Sequence, residues 1–243
     1  TKSILTILSL SLGGVLVVLI STMLISYDGV AETRGKEFPV GEFNIQLNAN
    51  QSWDTADVSL AGLQQKDLLN ADFENAIESM DGVTGTKRWY YTDAEYRVND
   101  YDDNWIYGLA KEDVSALKEN LIAGTVDYHE LVSKNGIILI QDTAENLSLS
   151  AQLGDSVEVD FLTKSGKTIT KSYTIMGIVS NFSHPAFNMC FAMPEELMNE
   201  ACEMDCSGTI SVITEAEKAD TVEASLNKLI DGNSDLVMDT IEE

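Results

Sequence analysis

The feature that most constrains this chain is a stretch of 25 residues without a charged side chain, Ser3–Tyr27. Within Ile4–Ile25, fifteen of 22 positions are Ile, Leu, Val or Met. A helix of that length spans roughly 37 Å, whereas the hydrocarbon core of a bilayer is about 30 Å thick. Residues 1–27 are therefore predicted to form a transmembrane helix.

A cleaved signal peptide is the alternative for this stretch, but its apolar region is typically about 7–15 residues long and ends at a small-residue cleavage site. Met23–Tyr27 contains no such site, which favours an uncleaved helix. Lys2 is the only charged residue before Asp28. The positive-inside bias then places the N-terminus in the cytoplasm and the main domain outside the cell membrane.

Small residues in the middle of this helix, Gly13 and Gly14, provide a face that another helix can approach closely. Such faces are typical of helix contacts inside membranes. They favour a helix that belongs to a bundle over a lone anchor.

Acidic residues dominate the charge of the chain. There are 40 Asp and Glu against 15 Lys and Arg, a formal net charge of -25. Such a surface repels phosphate groups, which argues against nucleic acid as a partner. It is also repelled by an anionic leaflet, so the part after residue 27 is expected to fold in water.

The pattern of elements after the predicted helix indicates an α+β fold. Residues 28–38 are expected to form a stalk or linker, which Pro39 and Gly41 terminate. Strand–helix–strand patterns at both ends surround a strand-rich middle. They predict a discontinuous α/β subdomain, residues 39–125 and 208–243, with a β-rich subdomain inserted at 126–207.

Hydrophobic periodicity predicts individual elements within this region. Asn70 is expected to cap one helix, Gly82 to follow it, and residues 164–167 to form a hairpin turn. The predicted strands are 42–47, 83–92, 95–98, 105–109, 136–141, 156–162, 167–179, 187–192, 209–213 and 236–241. The predicted helices are 71–80, 111–122, 127–132, 194–201 and 216–229.

Two short motifs resemble ligand-binding loops without completing them. Ser165–Thr168 matches the tail of a phosphate-binding loop, but Phe161 occupies the position of the required upstream glycine. Asp100–Asn104 begins like a calcium loop, but Trp105 replaces its central glycine and Lys111 its terminal glutamate. A hairpin turn and a solvated acidic loop are predicted instead.

No catalytic residue, cofactor site or metal site is predicted, and the chain is not expected to be an enzyme. Only His129 and His184 are available for general base work near neutral pH, and no Ser or Cys lies in a nucleophile motif. A membrane-anchored hydrolase is the rival hypothesis on this point. Detectable activity on ester, peptide or glycan substrates would favour it.

The three cysteines lie in one short segment, at Cys190, Cys202 and Cys206. With His184 they offer four zinc ligands, but their spacing follows no structural zinc pattern. Two cysteines four residues apart on one helix are poorly placed for a disulfide, so Cys190 with either of the others is the easier pair. Buried thiols, with at most one disulfide, are expected.

Seven aromatic residues lie within the nineteen positions 89–107. Tyr and Trp combine apolar area with a polar tip, which suits a surface that binds a peptide or protein. The alternative is that they pack the strands, and the shared face of Trp89 and Tyr91 on a strand favours it. The candidate partner-binding residues are Trp89, Tyr91, Tyr96, Tyr101, Trp105 and Tyr107.

Six short segments carry a family resemblance through their order along the chain. They are Lys2–Gly14, Leu109–Asp113, Ile122–Asp127, Gly136–Ile140, Leu153–Val159 and Met176–Val179. The series covers most of the chain and resembles MacB/FtsX-type ABC transporter permeases. The first segment resembles the first transmembrane helix of that family, and the other five resemble its extracytoplasmic core domain, the MacB-like periplasmic core domain.

This resemblance implies a bacterial transport protein of which the chain is a fragment. In the family the core domain lies between the first and second transmembrane helices, three further helices follow, and a separate ATPase subunit or domain drives the complex. A permease dimer or heterodimer is implied, with an extracellular peptide or protein as a further partner. The competing hypothesis is a membrane-anchored sensor or docking module that binds such a partner without transport.

Overall fold

The computed structural model describes residues 41–49, 59–180 and 189–240. The predicted transmembrane helix, the predicted stalk and His184 lie outside these ranges, so what the sequence indicates for them stays a prediction. Within the described ranges, no helix combines the length and the apolar character needed to cross a membrane.

Twelve strands and seven α-helices alternate along the described residues. The strands are β1 (Phe43–Leu47), β2 (Val83–Thr92), β3 (Glu95–Val98), β4 (Tyr101–Asp103), β5 (Ile106–Leu109), β6 (Leu121–Gly124), β7 (Gly136–Ile140), β8 (Ser156–Leu162), β9 (Thr168–Val179), β10 (Phe191–Pro194), β11 (Ser207–Thr214) and β12 (Leu236–Thr240). The helices are α1 (Leu60–Gln64), α2 (Ala71–Glu78), α3 (Lys111–Ala116), α4 (Tyr128–Ser133), α5 (Gln141–Asn146), α6 (Glu195–Cys202) and α7 (Ala219–Ile230).

The described strands all join one open sheet. Its order is β12-β1-β11-β2-β5-β10-β7-β9-β8-β3-β4, and β6 pairs with β9. Two pairs are parallel, β5 with β10 and β7 with β9. The mixture of helices with a mostly antiparallel sheet confirms the predicted α+β class.

The sheet runs through both of the predicted subdomains. Strands β3 and β4 come from the segment assigned to the first subdomain, yet β3 pairs with β8 of the predicted insertion. Strand β5 likewise pairs with β10. The boundaries 39–125, 126–207 and 208–243 therefore stay a prediction, while the described residues share one backbone hydrogen-bond network.

Several local signals act as predicted. The side chain of Asn70 accepts a hydrogen bond from the Phe73 amide at 3.0 Å and so caps α2. Gly82, which follows that helix, has a φ of 99°, a conformation that favours glycine. The Thr163 amide donates to the Lys167 carbonyl at 2.8 Å between β8 and β9. The predicted hairpin turn is confirmed there.

The prediction of one helix over 111–122 is wrong. Helix α3 ends at Ala116, a 3-10 turn covers Leu117–Asn120, and the chain then forms strand β6. Pairing of β6 with β9 supplies long-range backbone hydrogen bonds, so tertiary contact overrides local helical periodicity. Ile122, the last residue of that predicted helix, is 52% exposed.

A short helix that the sequence patterns did not indicate is fixed by the buried side chain of Gln64. Its amide nitrogen donates to the carbonyls of Tyr91 and Cys206, both at 2.8 Å. Its oxygen accepts a hydrogen bond from Thr92 Oγ1 at 2.9 Å. Helix α1 is therefore held between β2 and the start of β11, where its amide satisfies buried carbonyl groups.

Strand β1, the first described strand, pairs with β12, the last one. It lies between β11 and β12 and is antiparallel to both. Phe43, its first residue, is paired with Thr240, the last residue of β12. The chain therefore enters and leaves the sheet at adjacent points.

Candidate partner-binding site

The aromatic run divides into core residues and partly exposed residues. Tyr101 and Trp105 are half-buried. The other four candidates, between 0% and 3% exposed, are Trp89, Tyr91, Tyr96 and Tyr107. For those four the alternative prediction, packing of the strands, describes what is observed.

The polar tips of two core aromatics are hydrogen-bonded inside the protein. Trp89 Nε1 donates to Ser211 Oγ at 2.7 Å, and Tyr91 OH lies 2.8 Å from Thr209 Oγ1. Burial raises the pKa of Tyr91 to about 12, and burial raises the pKa of Tyr107 as well. Both phenols are therefore neutral at physiological pH and contribute to packing.

Tyr101 lines a recess at the edge of the sheet formed by β3, β4 and the turn between them. The recess has a volume of about 390 Å³ and polar walls that include Glu95, Arg97, Asp100 and Asp102. Below it, the rings of Tyr96 and Tyr101 lie 6.4 Å apart. The acidic segment Asp100–Asn104, which begins like a calcium loop, belongs to the β-hairpin formed by β3 and β4.

Arg97, which lines this recess, forms an ion pair with a residue of the neighbouring strand β8. Arg97 Nη1 lies 2.8 Å from Asp160 Oδ2 on β8. The hydrogen bond to Asp160 raises the pKa of Arg97, and the same bond lowers the pKa of Asp160. Throughout the described residues, no group of three or more His, Cys, Asp and Glu side chains is arranged to hold a metal ion.

Trp105 lines a second recess, of about 160 Å³, between β1, α1 and β12. Its ring lies 6.3 Å from that of Tyr91, tilted by 35°. The apolar wall is completed by Leu47, Leu60 and Val237, and Gln46, Asn48 and Ala49 complete the lining. We call this group of residues the Trp105 recess.

The backbone of Trp105 is in a conformation that a bulky residue rarely adopts. Its φ is 76°, in the left-handed region that costs a non-glycine residue about 1–3 kcal/mol. Such a residue persists only when its surroundings hold it in place. The fold therefore keeps this indole at the recess against a local backbone preference.

Sequence patterns identified Trp105 and Tyr91 but missed the rest of the recess. Gln46 and Val237 are separated by 190 positions and meet because they are partners in the β1–β12 ladder. Neither residue type marks a binding site by itself. Only the antiparallel pairing of the first and last described strands brings them to one place.

The comparisons with known proteins give similarity in structure. No protein-family model matches the sequence, and no curated protein matches it significantly. The periplasmic region of MacB from Actinobacillus actinomycetemcomitans is similar with a TM-score of 0.46 and 14% identity, over 83% of this chain and 90% of that one. The extracellular domain of the noncanonic ABC-type transporter YknZ from Gram-positive bacteria is similar with a TM-score of 0.43 and 15% identity. That match covers 70% of this chain and 88% of the other.

Both structures are extracytoplasmic parts of proteins. The first belongs to MacB, one of the two proteins that give the resembled family its name. The second belongs to YknZ, which is described as an ABC-type transporter.

Proposed function

We propose that the chain is the extracytoplasmic domain of an ABC transporter permease, which couples ATP-driven motion across the membrane to the handling of a substrate or partner outside. In this proposal residues 1–27 cross the membrane with the N-terminus in the cytoplasm, and the domain itself is not an enzyme. The single observation that carries the proposal is the pairing of Phe43 with Thr240.

A domain inserted between two consecutive membrane helices needs its first and last strands to lie close together, and that pairing meets this need. Opposed residues of an antiparallel pair have Cα atoms only about 4.5–5.5 Å apart. The first residue of β1 and the last residue of β12 therefore lie side by side. A predicted membrane helix precedes β1, and the family that the sequence resembles has a second helix after its core domain.

Strand β1 is also suited to transmit force. It is hydrogen-bonded on both sides, to β11 and to β12, and Ile45 at its centre is 0% exposed. A displacement of the stalk would move β1 together with its two neighbours, because breaking the ladder exposes buried backbone groups. Rigid elements with two arrangements are the usual carriers of such coupling.

An energy-transfer measurement on the full-length protein tests this coupling. A donor dye is attached to Asn227→Cys, an exposed position on α7, and acceptor dyes are placed in the lipid of nanodiscs that also contain the companion ATPase. Addition of a non-hydrolysable ATP analogue is expected to change the transfer efficiency. Equal efficiency with and without nucleotide, in a complex that hydrolyses ATP, would contradict the coupling.

The second candidate function is recognition of an extracellular peptide or protein without transport. The observation that favours it is the strained backbone of Trp105 at a recess lined by both apolar and polar side chains. Aromatic anchors of this kind supply much of the binding energy at protein interfaces. The recess lies where β1 ends and β12 begins, at the opposite end of this strand pair from Phe43 and Thr240.

Peptides that bind the chain are first selected from a displayed random library. Trp105→Ala is expected to weaken the binding of these peptides by at least about tenfold, because the aromatic anchor is lost. Tyr101→Ala is the matched control, since it removes a half-buried aromatic from the other recess. Binding is measured by titration, and circular dichroism confirms that each variant is folded. Equal binding by both variants would exclude the Trp105 recess as the site.

A further inference from the structure

A third recess, of about 150 Å³, lies between helix α6 and strand β9. Its walls include Lys171 and Tyr173 from the strand and Leu197, Glu200 and Ala201 from the helix. Strand β7 pairs with β9 only from position 174 onward. At positions 171–173, β8 is therefore the one described strand that pairs with β9, and the recess lies beside this stretch. We call it the Tyr173 recess.

The inner wall of the Tyr173 recess belongs to the hydrophobic core. Leu197 and Ala201 are buried in the same apolar cluster as Tyr173. Lys171 and Tyr173 are two positions apart on β9, so their side chains share one face of the strand. Glu200 directly precedes Ala201 on α6. The polar groups of the recess are therefore attached to a strand and a helix that pack into one core.

The phenol of Tyr173 distinguishes this recess from an ordinary surface dent. Tyr173 is 4% exposed, and its hydroxyl forms no hydrogen bond with any other residue that the structure describes. The fully enclosed side-chain oxygens without a partner in the described ranges are Glu195 Oε2 and Thr214 Oγ1. The hydroxyl of Tyr173 is not among them, so it is reached from the recess.

This hydroxyl is available as a hydrogen-bond donor. Burial raises the pKa of Tyr173 above its usual range, so the phenol keeps its proton at neutral pH. A buried phenol usually has a hydrogen-bond partner. An acceptor that enters the recess would supply the partner that the described residues do not.

Two opposite charges line the same recess without pairing. Within the described part of the chain, neither Lys171 nor Glu200 takes part in an ion pair. Other lysines have a carboxylate partner, and the Nζ atoms of Lys87 and Lys134 each lie 2.7 Å from one. A ligand that satisfies both groups of the recess therefore needs one charge of each sign.

We propose that the Tyr173 recess binds a small α-amino acid. Its carboxylate accepts hydrogen bonds from Lys171 and Tyr173, and its ammonium group donates to Glu200. A cavity of about 150 Å³ holds a molecule the size of benzene, and alanine has the same number of heavy atoms. Leu197 and Ala201 offer apolar contact to a small side chain.

Ligands with a single charge satisfy this recess less well. An anion would face the carboxylate of Glu200 and the repulsion of a chain with a formal net charge of -25. A cation would face Lys171 and leave the phenol of Tyr173 without an acceptor. Only a zwitterion pairs with both charged side chains and with the hydroxyl.

Saturation-transfer NMR on the full chain in detergent tests the proposal with three probes that each have a methyl group. L-alanine is expected to bind with saturation. Propionate and ethylamine are expected to bind at least about tenfold more weakly, because each lacks one charged group. No saturable signal from L-alanine, or a single-charge probe that binds as tightly, would overturn the proposal. The result does not depend on the side of the membrane on which the domain lies.

Three variants place the ligand in this recess. Tyr173→Phe keeps the buried ring, and this variant and Lys171→Met are each expected to weaken L-alanine binding by about tenfold. Glu200→Gln is expected to weaken binding of L-alanine but not of propionate. Lys167→Met removes an exposed lysine outside the recess and is the matched control, with unchanged binding. Circular dichroism confirms that each variant is folded. Unchanged L-alanine binding by any of the three recess variants would overturn the proposal.

Discussion

Lys87→Met is expected to lower the free energy of unfolding by about 3 kcal/mol at pH 7, because it leaves a buried carboxylate without its partner. Lys87 Nζ lies 2.7 Å and 2.8 Å from the two carboxylate oxygens of Asp113. The two side chains are only 16% and 10% exposed. Urea denaturation followed by circular dichroism measures the loss.

The loss is expected to depend on pH. Burial raises the pKa of Asp113, and Lys87 opposes that rise through its hydrogen bond and charge. Without Lys87 the pKa of Asp113 in the folded protein rises further above the value in the unfolded chain. The unfavourable effect is then full at neutral pH and disappears as the carboxyl group takes up a proton in acid. Lys87→Met should therefore cost less at pH 4 than at pH 7.

Two further variants distinguish loss of a buried pair from loss of packing. The double variant Lys87→Met, Asp113→Leu removes both charges and is expected to recover most of the stability. Lys134→Met removes the exposed pair with Glu130, whose side chains are 61% and 39% exposed, and should cost less than about 0.5 kcal/mol. Equal losses for Lys87→Met and the double variant would show that the buried charge is not the cause.

Ile45→Ala is expected to lower the free energy of unfolding by about 2–5 kcal/mol. Ile45 is 0% exposed and is paired with Ile210 on β11 and Met238 on β12. Truncation leaves a cavity at the strand that joins the beginning and end of the domain. The same strand carries the proposed coupling, so its stability bears directly on the function.

Graded controls accompany this substitution. Ile45→Val should cost only about 0.5–1.5 kcal/mol, and Ile122→Ala, at a side chain that is 52% exposed, should stay within about 0.5 kcal/mol of the parent. All are measured by the same urea titration. A loss below 1 kcal/mol for Ile45→Ala would mean that β1 is not an integral part of the sheet.

Sequence patterns predicted those elements whose signals are local. The cap at Asn70, the turn after Leu162 and the apolar run Ile137–Ile140 each act within a few residues, and the structure has α2, the β8–β9 hairpin and β7 at these places. The α+β class followed from the same signals. Such elements need little information from the rest of the chain.

The patterns failed where a distant strand decides the structure. Residues 121 and 122 continue a helical period, but the backbone of β6, to which they belong, pairs with β9, more than fifty positions further on. The length of helix α6 was predicted correctly to within a residue, yet the left-handed Glu203 that reverses the chain gives no signal of its own.

The candidate site was predicted in part for the same reason. Composition identified the aromatic run, but strand alternation alone could not tell which rings turn toward the core. The structure places Tyr96 and Tyr107 inside and leaves Tyr101 and Trp105 at recesses. The other walls of the Trp105 recess come from β1 and β12, which only the sheet topology brings together.

The location of the acidic domain outside the cytoplasmic membrane is tested most directly by labelling in intact cells. The three native cysteines are buried, so Asn227→Cys on the exposed face of α7 provides one accessible thiol. Cells that produce the full-length protein, stripped of any outer envelope, are treated with a membrane-impermeant maleimide, and the parent protein serves as the control. The account predicts labelling of Asn227→Cys in intact cells and little labelling of the parent. Labelling that appears only after the membrane is permeabilised would contradict it.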